Sequence, residues 1–181
     1  MKETTVVHTI ISSLKQRLTD SNNIFKLQLD KGYVTESTCK FNDPADAKEL
    51  DQFITKLGYK LPEDYYTFLM ISNGCNLFDH PEYGGESYLH RWQVINEITT
   101  EEPSEGYLKI GYIYQSELVI DLKSYQAGDN DYLLIKDCID QFSESKKLNM
   151  NFEMWLDRFV ISQGSKFWEW PRITSKLYYS Y

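Results

Sequence analysis

The sequence predicts an α+β fold in which an antiparallel β-sheet carries its helices on one face. Two observations predict it. Strong helical stripes of apolar residues stand on either side of a contiguous set of short β-rich runs. The turns between those runs are too short for the crossover that parallel strands require. With 181 residues, 41% of them hydrophobic, the chain can bury a core without disulfides or metals. It is expected to be a single domain over residues 1–181: a core over 44–162, an added helix and hairpin over 1–43, and an aromatic C-terminal tail over 165–181.

Taken in order, Val7, Ile10, Ile11, Leu14 and Leu18 recur at helical spacing, so residues 4–18 predict an amphipathic helix that residues 19–23 end. Phe25, Leu27 and Leu29 alternate with polar residues, residues 30–32 have turn chemistry, and residues 33–41 lean towards strand again, which predicts a hairpin. Asp43 as N-cap and Pro44 at the first position open a second helix, whose buried stripe is Ala47, Leu50, Phe53, Ile54 and Leu57 and whose terminator is Gly58. Residues 61–74 hold a third helix. Pro62 suits its first position, Glu63 and Asp64 face the positive end of the helix dipole, Tyr65, Phe68, Leu69 and Ser72 share a face, and Asn73-Gly74 ends it.

Residues 76–87, with Pro81, Gly84 and Gly85, read as a loop. Residues 88–95 read as extended, residues 100–106 as a second, acidic loop, and residues 107–114, 117–122 and 132–136 as strands, the first two joined as a hairpin at Gln115-Ser116. Phe152, Trp155, Leu156, Phe159 and Val160 make a last helical stripe, capped by Asn151 and stopped by Gly164. The tail that follows, with Phe167, Trp168, Trp170, Tyr178, Tyr179 and Tyr181, is too apolar for a free linker, and much of it is expected to dock on the domain.

Three cysteines without paired spacing argue against a disulfide framework and for a reducing compartment, and the N-terminus shows neither a long apolar run nor a cleavage pattern; the expected location is cytoplasmic. The net charge of −8 is uneven. Residues 79–106 hold seven acids against one arginine, and residues 114–145 seven acids against two lysines. Such a field repels nucleic acid and anionic membranes and steers a basic protein towards it.

Leu61-Pro62-Glu63-Asp64-Tyr65-Tyr66, the continuation Phe68-Leu69 and the stop Asn73-Gly74 resemble the helix motif of the SUKH superfamily, which includes yeast cell-wall assembly regulators and many bacterial toxin immunity proteins. Ile110-Gly111, Val119-Ile120-Asp121-Leu122 and residues 152–159 look like the family's strand, return strand and closing helix. The first 42 residues, the tail and the turn Tyr114-Gln115-Ser116 depart from the pattern. The resemblance implies a bacterial, cytoplasmic immunity protein that binds a cognate toxin and blocks it without chemistry, as in polymorphic toxin systems. The family-motif residues Leu61, Pro62, Asp64, Tyr65, Phe68, Asn73 and Gly74 are structural in this reading.

Cys75, His80 and His90 have neither the spacing nor the fourth ligand of a zinc site. Glu117 and Asp121 flank one strand, as acids of a solvated sheet edge also do. No phosphate loop or nucleophile arrangement is present, so no enzyme activity, catalytic residue, cofactor or metal is expected. The partner-binding candidates are Glu82, Tyr83, Glu86, Tyr88, Trp92, Glu101, Glu102 and Glu105, a mixture of aromatic anchors and steering acids that suits a basic, nuclease-type toxin. The alternative reading is that Tyr88 and Trp92 face the core as strand residues and only the acids are exposed. Two further readings are a binding module for an endogenous protein and an enzyme acting on a small molecule.

Overall fold

The computed structural model describes residues 5–101 and 106–179. Its architecture is α+β: eight antiparallel strands in the order β1-β2-β3-β4-β5-β6-β7-β8, with helices on one face. Helix α1 (Val6–Asp20) is capped by Thr5 and buries Val7, Ile11, Leu14 and Leu18, as the periodicity predicts. The hairpin forms from β1 (Phe25–Gln28) and β2 (Val34–Phe41), and β2 pairs with β3, so the hairpin extends the central sheet.

Helix α2 (Ala47–Leu57) starts later than Asp43-Pro44 predicts. The Asp43 carbonyl accepts the Asn73 N–H at 3.0 Å and the Ala45 N–H donates to the Leu69 carbonyl at 2.9 Å, so residues 43–45 are tied to the end of the next helix. Asp46 is the cap instead, accepting the Glu49 N–H at 3.0 Å, and Gly58, at φ +74°, ends the helix in the left-handed conformation.

Helix α3 (Glu63–Ile71) buries Tyr65, Phe68 and Leu69, with Pro62 just before its first residue rather than within it. The helix ends in extended backbone at Ser72, and the left-handed Gly74 turns the chain into β3. A Cβ at Gly74 would lie 2.7 Å from the Leu89 carbonyl oxygen and 2.8 Å from the Arg91 nitrogen, so this glycine also answers a close approach of backbone.

Strand β3 (Cys75–Asp79) corrects the loop expected over residues 76–87: Leu77 and Phe78 are buried, and only the remainder to Glu86 is loop. After β4 (Ser87–Leu89) comes helix α4 (Trp92–Glu101), where an extended run and a loop are predicted. Val94, Ile95, Ile98 and Thr99 favour strand by propensity, but burial of Ile95 in the core and a capping contact at the first turn decide for helix. The meander follows: β5 (Tyr107–Ile113), β6 (Ser116–Asp121), the short helix α5 (Leu122–Gln126), β7 (Leu133–Asp137) and β8 (Lys146–Lys147).

Helix α6 (Phe152–Ile161) buries Phe152, Trp155, Leu156 and Phe159 and packs with α1 and α3 over the sheet. Its N-terminus is fully engaged. Phe152 N–H donates to the Tyr132 hydroxyl at 3.1 Å, Glu153 N–H to the Asp64 carboxylate at 2.9 Å, and Met154 N–H to Asn151 at 2.9 Å. Asp64 also accepts a short hydrogen bond from the Tyr132 hydroxyl, so this motif residue joins α3, α6 and the residue that leads into the strand over Leu133–Asp137. Asn73 does the same for α4, accepting the Trp92 N–H at 2.9 Å and donating to Gln93 at 2.9 Å. Beyond α6, Phe167 and Trp168 dock, with Trp168 against Trp155 and Phe159, whereas Trp170, Ile173, Leu177 and Tyr179 are exposed, the last residues around helix α7 (Ser175–Tyr178). Among the described residues no helix is long and apolar enough to cross a membrane.

Candidate protein interface

Two neighbouring rows of residues cross the sheet. The first, Phe41, Cys75, Leu89, Gly111, Leu118 and Ile135, points under the helices and belongs to the apolar core. The second, Lys40, Asn76, Tyr88, Tyr112, Glu117 and Lys136, is one residue out of phase and lies on the opposite, open face. There Tyr88 stacks on Tyr112 with ring centroids 5.5 Å apart, and His90 meets Tyr88 edge-on at 5.3 Å.

At one end of the sheet, three connections converge. The Tyr114 N–H of the β5–β6 turn donates to the Glu86 carbonyl at 2.9 Å, and the Cys138 N–H after β7 donates to the Gln115 carbonyl at 3.0 Å. The result is a rim on which Tyr83 (83% exposed), Tyr114 and Ile139 (90% exposed) stand among Glu82, Glu86, Asp137 and Asp140. Tyr83 is held by stacking on His80 at 4.6 Å, and His80 Nδ1 accepts the Glu82 and Tyr83 N–H groups at 3.2 and 3.3 Å. Tyr114 and Gln115, at φ 45° and 68°, form the tight turn of that hairpin, one residue earlier than the Gln115-Ser116 turn expected, and Ser116 already pairs in β6. Burial holds the phenols of Tyr88, Tyr112 and Tyr114 above their ordinary value, and the carboxylate of Glu86 adds to the rise in all three.

A buried lysine shapes this rim. The Lys136 Nζ meets Glu117 at 2.7 Å and donates to the carbonyls of Asp137 and Asp140 at 3.1 and 2.8 Å, so it fixes the loop that displays Ile139. Glu117 takes a second cation, Lys109, at 3.3 Å, and both lysines lie over the Phe142 ring. Asp121, the other acid of that strand, caps α5 by accepting the Ser124 N–H at 2.9 Å. The two acids therefore hold structure and do not form a facing carboxylate pair.

The predicted partner residues separate into groups. Glu82, Tyr83 and Glu86 lie on the rim, and Tyr88 lies beside it on the open face. Trp92 begins α4 and stacks half-buried on Phe53 of α2 at 5.6 Å, so it belongs to the helical side; Glu101 is exposed at the far end of α4. Glu102 and Glu105 lie outside the described residues. Cys75 faces the core, His80 supports the rim loop and His90 lies on the open face, so these three do not converge. Sequence reasoning missed Tyr112, Tyr114, Ile139 and Lys136. The signal for Tyr112 and Lys136 was the alternation within β5 and β7, which assigns faces only once the register is known, whereas Tyr114 and Ile139 lie in turns outside those strands.

The sequence matches the SMI1/KNR4 family (SUKH-1) over residues 44–158. The chain belongs to the SMI1/KNR4 family. Two similar proteins of Bacillus subtilis (strain 168) are the uncharacterized protein YnaB, 35% identical over 134 residues covering 74% of this chain and 89% of its own, and the uncharacterized protein YobM. YobM is 32% identical over 185 residues, covering 97% of this chain and 98% of its own. The SMI1/KNR4 span runs from Pro44 into α6, and so contains the whole rim and the motif acids and amides that tie α3 to α4 and α6. The likeness to YobM continues through α1, the β1–β2 hairpin and the tail.

Proposed function

We propose that this SMI1/KNR4 chain is an immunity protein that neutralises a cognate bacterial toxin in the cytoplasm by binding it in a stoichiometric complex through the acidic rim. The observation that carries this reading is the exposure of Tyr83, Tyr114 and Ile139 among Glu82, Glu86, Asp137 and Asp140. Apolar anchors ringed by like charges are what a binding surface needs: the anchors supply affinity and the acids steer a partner of opposite charge. A nuclease-type toxin has a basic substrate site, which such a rim complements. Binding alone suffices for this role. The acids that sequence reasoning weighed for catalysis, Glu117 and Asp121, are engaged by two lysines and by a helix start.

The test is to mix the purified protein with the toxin domain encoded by a neighbouring gene. A one-to-one complex is expected, with an association rate that falls as salt rises, and expression of the protein should rescue cells poisoned by that toxin. Absence of a complex at low salt contradicts the proposal. Capture of an endogenous basic protein without rescue identifies a housekeeping binding module instead.

A further inference from the structure

The β8 edge, next to the rim, carries charge of the other sign. A groove of about 530 Å³ runs between β8, α6 and the segment after Gly164. Its apolar lining includes Met150, Ile161, Trp168 and Trp170, of which Ile161 is 72% and Trp170 54% exposed. Lys146, Lys147, Arg158 and Arg172 also line it, and no acid does, in a chain whose net charge is −8. Lys147 is neutralised by Asp129 at 2.8 Å. Among the described residues, Lys146, Arg158 and Arg172 form no ion pair.

We infer that this groove docks a short acidic segment of a partner protein that carries a bulky apolar side chain. Charge complementarity selects the occupant. Three cations without a carboxylate border an apolar slot floored by tryptophan, so an acidic residue on either side of an inserted Leu or Phe meets a guanidinium or ammonium while the side chain covers exposed indole. The volume holds a few side chains. A longer polyanion such as nucleic acid would have to continue over the surrounding acidic surface, which repels it. The groove differs from the rim in sign: it lies on the β8 edge and accepts negative charge, whereas the rim, which begins two residues beyond Ile135 at Asp137, presents it.

The probe is a fluorescein-labelled peptide Asp-Glu-Leu-Phe-Glu-Asp, titrated with the full chain by fluorescence anisotropy. Saturable binding that weakens with salt is expected, with a loss of about tenfold or more in each of Arg158→Glu and Trp170→Ala. Glu82→Lys on the rim should leave it unchanged. Arg158 and Trp170 are exposed, so both variants are expected to keep the wild-type melting temperature; Lys146→Glu repeats the test should either one shift it. Three results would overturn the inference: equal binding of a Lys-Lys-Leu-Phe-Lys-Lys peptide, tighter binding of a thymidine oligonucleotide, or self-association of the free chain that Arg158→Glu abolishes, which would assign the groove to a second copy.

Discussion

The two faces of the sheet are built from the same strands, one residue out of phase, and have opposite chemistry. Under the helices run Cys75, Leu89, Leu118 and Ile135; across the open face run Asn76, Tyr88, Tyr112, Glu117 and Lys136. The covered row removes apolar area from water and stores stability. The open row sets the stacked Tyr88 and Tyr112 beside the lysine-held Glu117 and ends at the rim that the proposed function assigns to a partner. The difference assigns separate effects to mutations on each side: stability should be lost on one and binding on the other.

The largest effect should come from the covered side. Trp155→Ala removes a fully buried ring packed against Phe152, Phe159 and Trp168 and should cost about 4 kcal/mol in chemical denaturation. A cost under about 1 kcal/mol would mean that stability is not stored there.

Glu117→Gln is the exception on the open side, because it leaves the Lys136 ammonium charged with only 3% of its side chain exposed. It should cost about 3 kcal/mol, and a double-mutant cycle with Lys136→Met should show the two changes costing less together than in sum. Asp46→Ala should cost about 1 kcal/mol while Asp43→Ala stays within about 0.5 kcal/mol, which separates the real cap of α2 from the one the sequence suggested.

The smallest effect is a pH dependence. Burial holds the His90 imidazole below its ordinary 6.5, helped by Lys109 and opposed by Glu117. The unfolded chain therefore takes up this proton first. The contribution of His90 is complete above its unfolded pKa and declines as pH falls through the lower folded value, so urea midpoints should drop between neutrality and pH about 5 less steeply in His90→Gln than in the wild type.

Much of the fold was legible in the chain. The stripes of α1, α3 and α6 and the strands β5 to β7 follow from periodicity, and the Asn151 cap and Gly164 stop from local chemistry. Strand β3 was not, because its five residues are read together with Pro81, Gly84 and Gly85 that follow, and α4 was not, because β-branched residues mask a helix whose start depends on Asn73, nineteen residues away. Asp64 and Asn73 look like local helix punctuation and act as tertiary ties. The rim was half legible. Glu82, Tyr83 and Glu86 announce themselves as an acidic, aromatic loop, whereas Tyr114 and Ile139 join them only through turns that the sheet register brings side by side.

The most direct test of the account is hydroxyl-radical footprinting of the complex with the toxin domain. Tyr83, Tyr114 and Ile139 should be protected on binding, while Tyr33 and Tyr179, 66% and 82% exposed elsewhere on the surface, should oxidise as in the free protein. Protection of Tyr33 or Tyr179 with the rim still reactive would contradict it.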